Sequence, residues 1–265
     1  MLYNRSMCAD GQIIRSRSNA GLKRMRAVLA GRERGALVLE GERLVRDALR
    51  LGYPLEGLFV GDDHPELHDS LGGKGSLVEA ALLQQASGLK TSPGVMALAP
   101  IPKTLTLAQL NLEGDPLLLV VAGVSDPGNL GALARSAEAA GVRALVLLSG
   151  GASPWNAKAM RGSMGSLLRL PVVIAEDAAQ VGRELSERGI RQAVAATRGG
   201  EAPAEFDWAG PIALWVASET GALPDSDQGL EPLTIPMTGE VESLNVTVAA
   251  SLLLFAAGRG GSKAP

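Results

Sequence analysis

Residues 233 to 257, LTIPMTGEVESLNVTVAASLLLFAA, constrain the fold more than any other stretch. A short strand, Leu233 to Ile235, breaks at Pro236, which has no N–H to give a sheet. A polar loop, Thr238 to Glu242, follows. Ser243 then sits just ahead of the apolar run Val246 to Ala257. Ser or Asn before such a run signals a helix start, because its side-chain oxygen satisfies an orphan N–H. The helix is apolar almost all round, so it needs burial on most faces. It is also much shorter than the roughly 20 residues that span a bilayer. A helix start rich in N–H groups is thus expected beside a proline-broken strand end, with donors and acceptors left free for a ligand. The plain alternative is a buried terminal helix with an ordinary cap.

The rest of the chain alternates strands and helices. Ser18 and Asn19 precede a basic helix, LKRMRAVLAGRERG. Strands are expected at Ala36 to Glu40 and Leu55 to Val60, with the amphipathic helix ERLVRDALRLG between them. Leu77 to Val78, the helix ALLQQASG and Val95 to Ala99 complete a small α/β unit. Proline-bounded residues 101–116 read as a linker. Leu117 to Val124, LLLVVAGV, is a continuous apolar strand suited to a sheet covered on both faces. After it come the turn DPGN, a helix stopped by Gly141, and a strand at Arg143 to Leu148. A second helix is expected over Asn156 to Leu168, then a strand at Pro171 to Ile174, a helix at Ala178 to Arg188, and strands at Ala193 to Thr197 and Ile212 to Ala217. The expected division is a loose segment 1–12, a first domain 13–100, the linker 101–116 and a second domain 117–265.

Composition narrows the function. With 46% hydrophobic residues among 265, a sizeable core is available. The single cysteine, Cys8, excludes a disulfide framework and a cysteine-based zinc site. His64 and His68 stand four apart, but with no acidic motif between them a turn at Pro65 is expected rather than a metal site. No secretory apolar segment and no long apolar span occurs, so a cytoplasmic protein without membrane or metal is expected. The net charge is −3, yet between Arg5 and Arg50 eleven basic residues face five acidic ones. Localised basic charge on an acidic chain is the footprint of a phosphate-bearing partner, against the alternative of a solvated helix face.

Two further constellations stand out. Asn129 and Arg135 lie at and after a helix start, where anions are favoured and a guanidinium fork suits phosphate. Arg135 and Glu138 form the plain alternative, a local surface pair. The strand IALWVA runs into Ser218-Glu219-Thr220-Gly221, and open α/β sheets bind ligands at such strand ends. Neither a dinucleotide glycine fingerprint nor a P-loop is present, which disfavours a nucleotide-dependent oxidoreductase.

N-L-G-x-x-x-R at 129–135, S-E-x-G at 218–221, and I-P-M at 235–237 with S-L-N at 243–245 occur in that order. They resemble the three motifs of the SpoU (TrmH) family of RNA 2′-O-ribose methyltransferases, within the SPOUT superfamily. The likeness covers residues 117 to 257 and includes WNAKAMRGSMGSLLRLPV. The stretches SNAGLKRMRAVL, LVLEGERLVRDAL and KTSPGVMA are similar to the substrate-binding domain that many members carry. Strand–helix alternation alone implies an open doubly wound sheet. The resemblance implies instead an α/β fold with a deep trefoil knot and a mainly parallel sheet, preceded by a small ribosomal-protein-like α/β domain. It implies a homodimer with the site at the subunit interface, and S-adenosylmethionine bound in the knot by Ala217, Ser218, Gly221, Ile235, Pro236, Met237, Ser243, Leu244 and Asn245. Arg135 would act on the target ribose, with Asn129, Glu219, Ser243 and Asn245 shaping the pocket. Arg15, Arg17, Lys23, Arg24, Lys90 and Arg161 are the expected RNA contacts. One departure is Ala217, where the family usually has glycine, so that one extra methyl group is expected to crowd the cofactor. The expected function is methylation of a ribose 2′-hydroxyl in structured RNA, most simply 23S ribosomal RNA. Transfer RNA as substrate, a resistance methyltransferase and a non-catalytic RNA-binding protein of the same fold are the alternatives.

Overall fold

A computed structural model of the chain describes residues 13–87, 89–218, 221, 223–224 and 229–261. The expected loose segment 1–12 lies outside them. Contacts divide the chain into two compact units: 1–102 with 155–168, and 103–154 with 169–265.

The first unit is built on a four-stranded sheet in the order β1-β4-β2-β3. The strands are β1 (Ala36–Glu40), β2 (Gly57–Gly61), β3 (Ser76–Val78) and β4 (Val95–Pro100). β4 runs antiparallel to both neighbours, and β2 and β3 are parallel. Helix α1 (Ala20–Leu29) starts where the Asn19 side chain accepts from the Leu22 N–H. Its Leu22 and Met25 join Phe59, Val78, Leu83 and Met96 in the core, with α4 (Ala80–Ser87) alongside. Gly21 is required there, because a Cβ at that position would lie 2.4 Å from the Phe59 ring. Helix α2 (Glu42–Arg50) buries Leu44, Val45 and Ala48. Tyr53 donates to the Pro100 carbonyl at 2.7 Å, and burial pushes its phenol up to about 12. Instead of a turn, Pro65 opens a short helix, α3 (Pro65–Ser70), as a first-turn proline can.

The helix expected at 156–168 is broken. Met164 adopts φ 51° and Gly165 φ 89°, a left-handed pair that ends α6 (Ala157–Ser163) before α7 (Ser166–Arg169) begins. α6 packs on β1, which is why these residues group with the first unit.

The second unit holds a six-stranded, wholly parallel sheet in the order β10-β8-β9-β5-β6-β7. Its strands are β5 (Leu117–Ala122), β6 (Ala144–Leu148), β7 (Val172–Ala175), β8 (Arg191–Ala195), β9 (Ile212–Ala217) and β10 (Leu230–Leu233). β5 is central, and five of its six residues are buried, as its unbroken apolar run requires. Leu118, Val120 and Ala122 face a cluster completed by α8 (Ala178–Glu187). Leu105, Leu107, Leu110 and Leu112 pack on the same cluster, so the stretch read as a linker lies on this core. Helices α5 (Pro127–Ala139) and α9 (Val246–Gly261) pack against each other, and α9 also contacts β8 and β9. β10 begins before the strand expected at 233–235 and includes Pro232. Its place at the sheet edge explains the tolerance for a residue without an N–H.

One polar network sits inside this core. Gln192, only 2% exposed, accepts from the Trp215 indole at 3.1 Å and donates to Gly182 O and Ser186 Oγ. Replacing Gln192 by leucine leaves the buried indole N–H unsatisfied. The expected loss is about 1–3 kcal/mol of unfolding free energy, read by urea denaturation. An unchanged midpoint would show that the indole has found another acceptor.

Candidate active site

Helix α5 opens with Asp126 as its N-cap and Pro127 as its first residue. The Asp126 carboxylate accepts from the Asn129 N–H at 2.9 Å, which fixes the first turn and the start of the Asn129 side chain. The same cap sits at the C-terminal end of β5. Around it open the ends of β9, β8 and β10, so the crevice lies where the strand order reverses direction from β5–β6–β7 to β9–β8–β10.

The crevice is a cavity of about 680 Å³. Val216, Leu233 and Leu253 give it an apolar floor, while Ser125, Asp126, Asn129, Thr197, Ser218, Ser243 and Asn245 supply polar groups. Size and lining suit an organic ligand with an apolar body and a few polar anchors. Of the residues singled out by sequence, Asn129, Ala217, Ser218, Ile235, Met237, Ser243, Leu244 and Asn245 line it together. Pro236 lies between two lining residues without lining the cavity itself. Glu219 lies outside the described residues.

Gly221 is not among the residues that line the cavity. Its backbone lies against Gly123, whose φ is 70°. A Cβ on Gly123 would stand 2.5 Å from the Gly221 Cα, and one on Gly221 would stand 2.5 Å from the Ala122 carbonyl oxygen. Ser218 ties the two loops, donating from its backbone N to Ala122 O at 3.0 Å and from Oγ to Gly123 O at 2.6 Å. Ala217 lines the cavity and also packs against the buried cluster of the sheet, so its methyl group is shared between the two.

The other wall is the start of α9. Asn245, not Ser243, caps it, with Oδ1 accepting from the Thr247 N–H at 2.9 Å. Thr247 Oγ1 donates to the Asn129 carbonyl at 3.3 Å. Ser251 Oγ donates to Thr247 O at 2.6 Å and stands 2.7 Å from Ser136 Oγ. These bonds join the two helices that carry the first and third motifs.

Arg135 is exposed on α5 and does not line the cavity. Glu138, its expected local partner, accepts two contacts from Arg169, one of them at 2.8 Å.

Of the expected RNA contacts, Arg15, Arg17, Lys23 and Lys90 are exposed. Arg24 is held between Glu33 and Glu56, each at 2.5 Å, and these partners raise its pKa. Arg161 is paired with Glu40 at the end of β1. Glu40 is 5% exposed and its Oε1 has no hydrogen-bond partner. Burial raises its carboxyl pKa, against the lowering pull of Arg161.

Sequence reading missed Asp126 and the end of β8, Ala195 to Thr197. The Asp-Pro pair is a local helix-start signal that would have found the first. Nothing local marks the second, because only the strand order brings β8 beside β9.

A cavity at the carboxyl ends of parallel strands, walled by two capped helices, marks an α/β protein with a ligand site of enzyme type. Residues 116–255 match the model of the SpoU rRNA Methylase family, and the chain belongs to that family. A curated relative, the 23S rRNA (guanosine-2′-O-)-methyltransferase RlmB of Ralstonia nicotianae, is 35% identical over 195 residues, 69% of this chain and 76% of its own. The 23S rRNA (guanosine(2553)-2′-O)-methyltransferase RlmP of Bacillus subtilis is 29% identical over 249 residues, covering 91% of this chain and 97% of its own. Among solved structures, an RNA 2′-O ribose methyltransferase superposes with a TM-score of 0.79 at 30% identity, covering 94% of this chain and 99% of that one. The AdoMet-bound rRNA methyltransferase of Sinorhizobium meliloti shares the fold, with a TM-score of 0.80 at 22% identity over 94% of this chain and 97% of that one.

Because the raised pKa means that folded Glu40 holds its proton more tightly than unfolded Glu40, this carboxyl's contribution to stability is full below the unfolded value. It is lost as pH rises through the folded one. Glu40→Gln, which cannot ionise, is therefore expected to gain in stability relative to the parent as pH rises from 4 to 7. Denaturant midpoints across that range check this, and a gap that stays constant or moves the other way would contradict it.

Proposed function

We propose that the chain transfers a methyl group from S-adenosylmethionine to a ribose 2′-hydroxyl of ribosomal RNA, with 23S rRNA as the substrate indicated by the curated relatives. The observation that carries this reading is the convergence of Asn129, Ala217, Met237 and Ser243 to Asn245 on one cavity, although they lie on three separate segments of the chain. A ribosomal RNA substrate agrees with a cytoplasmic location.

The cavity fits the donor in size and in chemistry. The floor of Val216, Leu233 and Leu253 offers an apolar bed, and the loop backbone at Ile235, Met237, Ser243 and Leu244, which lines the cavity, offers hydrogen-bonding groups. When bound, the donor supplies an already activated methyl group. Asn129, Ser243 and Asn245 orient the ligands from the two helix starts, which is the entropic part of the work. Arg135 offers a planar fork of N–H donors and no acceptor, which suits it to oxygen atoms of a phosphate or a ribose. Its part is to hold an RNA phosphate and to stabilise the 2′-oxygen as that atom gains negative charge. Ala217 keeps its methyl group partly against the core, which favours a working donor site over a binding module that has lost turnover.

The tail from Pro236 to Val246 is read as the threaded part of a trefoil knot. In support, it leaves the edge strand β10 and returns beside Asn129 at the middle of the sheet. Residues 13–100 are read as the RNA-binding domain, with Arg15, Arg17, Lys23 and Lys90 among its exposed cations.

A homodimer completes the reading. Val248, Leu252 and Phe255 fall on one face of α9 and are 47%, 50% and 48% exposed, an apolar stripe at helical spacing. A second copy covering that stripe would sit next to α5 and hence next to Arg135.

Arg135→Ala is expected to lower methyl incorporation into rRNA by about 100-fold or more. Donor affinity, measured by calorimetry, should stay within about twofold, because Arg135 stands outside the cavity. Retained activity would sink the assigned role. Leu252→Glu with Phe255→Glu is expected to turn a dimer into a monomer in sedimentation. A parent protein that is already monomeric would refute the dimer.

A further inference from the structure

Helices α5 and α9 pack against each other, and the residues they bury are alanines and leucines. These are Leu130, Leu133, Ala134 and Ala137 on α5, and Ala250, Leu253, Leu254 and Ala257 on α9. Such a contact supplies adhesion but little direction. A slip of one helical turn, about 5.4 Å, would again set small apolar residues against small apolar residues. The cavity tolerates one register only. Asn129 stands in the first turn of α5, Ser243 to Asn245 stand just ahead of α9, and all line the same space.

A row of hydroxyls crosses this contact. Asn129 and Ser136, seven residues apart, share one face of α5, and Thr247 and Ser251, four apart, share one face of α9. The direction of each hydrogen bond follows from the single proton of each hydroxyl. The Thr247 carbonyl has none to give, so Ser251 donates to it at 2.6 Å. Ser136 is then the donor in the 2.7 Å contact between the two serines. Thr247 Oγ1 donates to the Asn129 carbonyl at 3.3 Å, and the Thr247 N–H donates to Asn245 Oδ1 at 2.9 Å. One connected chain thus runs from Ser136, the sequence neighbour of Arg135, to Asn129 and Asn245 on the two walls of the cavity.

We propose that Ser136, Thr247 and Ser251 are positioning residues that lock the register of α9 on α5 and so align the two walls of the donor cavity. The proposal rests on the reading of this cavity as a methyl-donor site. None of the three lines the cavity, so their effect passes through Asn129 and Asn245. Polar groups in an otherwise apolar helix contact select one register because a slipped one strands them against methyl groups. Their net contribution to stability is small, since water satisfies the same hydroxyls in the unfolded chain.

Register and stability separate by substitution. Ser136→Ala with Ser251→Ala removes both partners of one bond together, which is nearly neutral for stability, and alanine is the better helix former. The urea midpoint is therefore expected to hold or to rise. The dissociation constant for S-adenosylmethionine, from calorimetry on the full chain, is expected to rise about tenfold, within the coupling range of contacting residues. Turnover on rRNA is expected to fall about 100-fold, as for reacting groups displaced by roughly 1 Å. KM for rRNA should stay within about twofold, because the seam is remote from the exposed cations of the first unit in the chain's division into units. At Thr247, serine keeps the hydroxyl and should retain turnover within about threefold of the parent, whereas valine keeps the branched shape and should fall with the double alanine variant. Activity that falls in step with the urea midpoint, unchanged donor affinity in the double variant, or equal turnover in Thr247→Val and Thr247→Ser overturns the register lock and leaves the methyl-donor reading standing. A parent protein that binds no S-adenosylmethionine overturns that reading, and the proposal with it.

Discussion

The packing of α9 onto α5 is the interaction on which the rest of the second unit depends. Ala250, Leu253, Leu254 and Ala257 are buried on one face of α9, and Leu130, Leu133, Ala134 and Ala137 are buried on α5. Apolar burial supplies the strength, but it is not directional and would allow the helices to slide. The hydroxyls of Thr247 and Ser251 set the register, through the Asn129 carbonyl and Ser136. With that register set, the residues just before α9 can only fall beside the first turn of α5. The cavity walls are then the direct product of a helix–helix contact.

A second constraint works at the strand ends. The loop after β5 and the loop after β9 approach so closely at Gly123 and Gly221 that neither can carry a side chain. Ser218 closes the contact with two hydrogen bonds. Gly221 is a spacer in this contact, letting Ala217 and Ser218 reach the cavity.

Much of the fold was legible in the residues. The run Leu117 to Ala122 announces a strand buried on both faces. The apolar segment after Asn245 announces a helix, but one face of it, not most, is buried within the chain. The site was legible only through the order of its three motifs, since nothing in the separate segments says that they meet. What stayed hidden was non-local or small. The end of β8 enters the cavity because β8 lies beside β9, a matter of strand order. Glu40 and Arg161 are 121 residues apart. Met164 in a left-handed conformation has no sequence signal, because such a backbone is costly for a residue with a side chain and is decided by packing around it.

The short piece around α6 has a consequence for dissecting the protein. Ala159, Met160 and Leu167 are buried in a body to which they do not belong by position along the chain. The backbone therefore passes between the two bodies three times, near residues 102, 154 and 168. A recombinant fragment starting at residue 103 would carry an apolar flap stripped of its bed. Exchanging the first unit with that of a relative would succeed only if the flap travelled with the unit that shelters it.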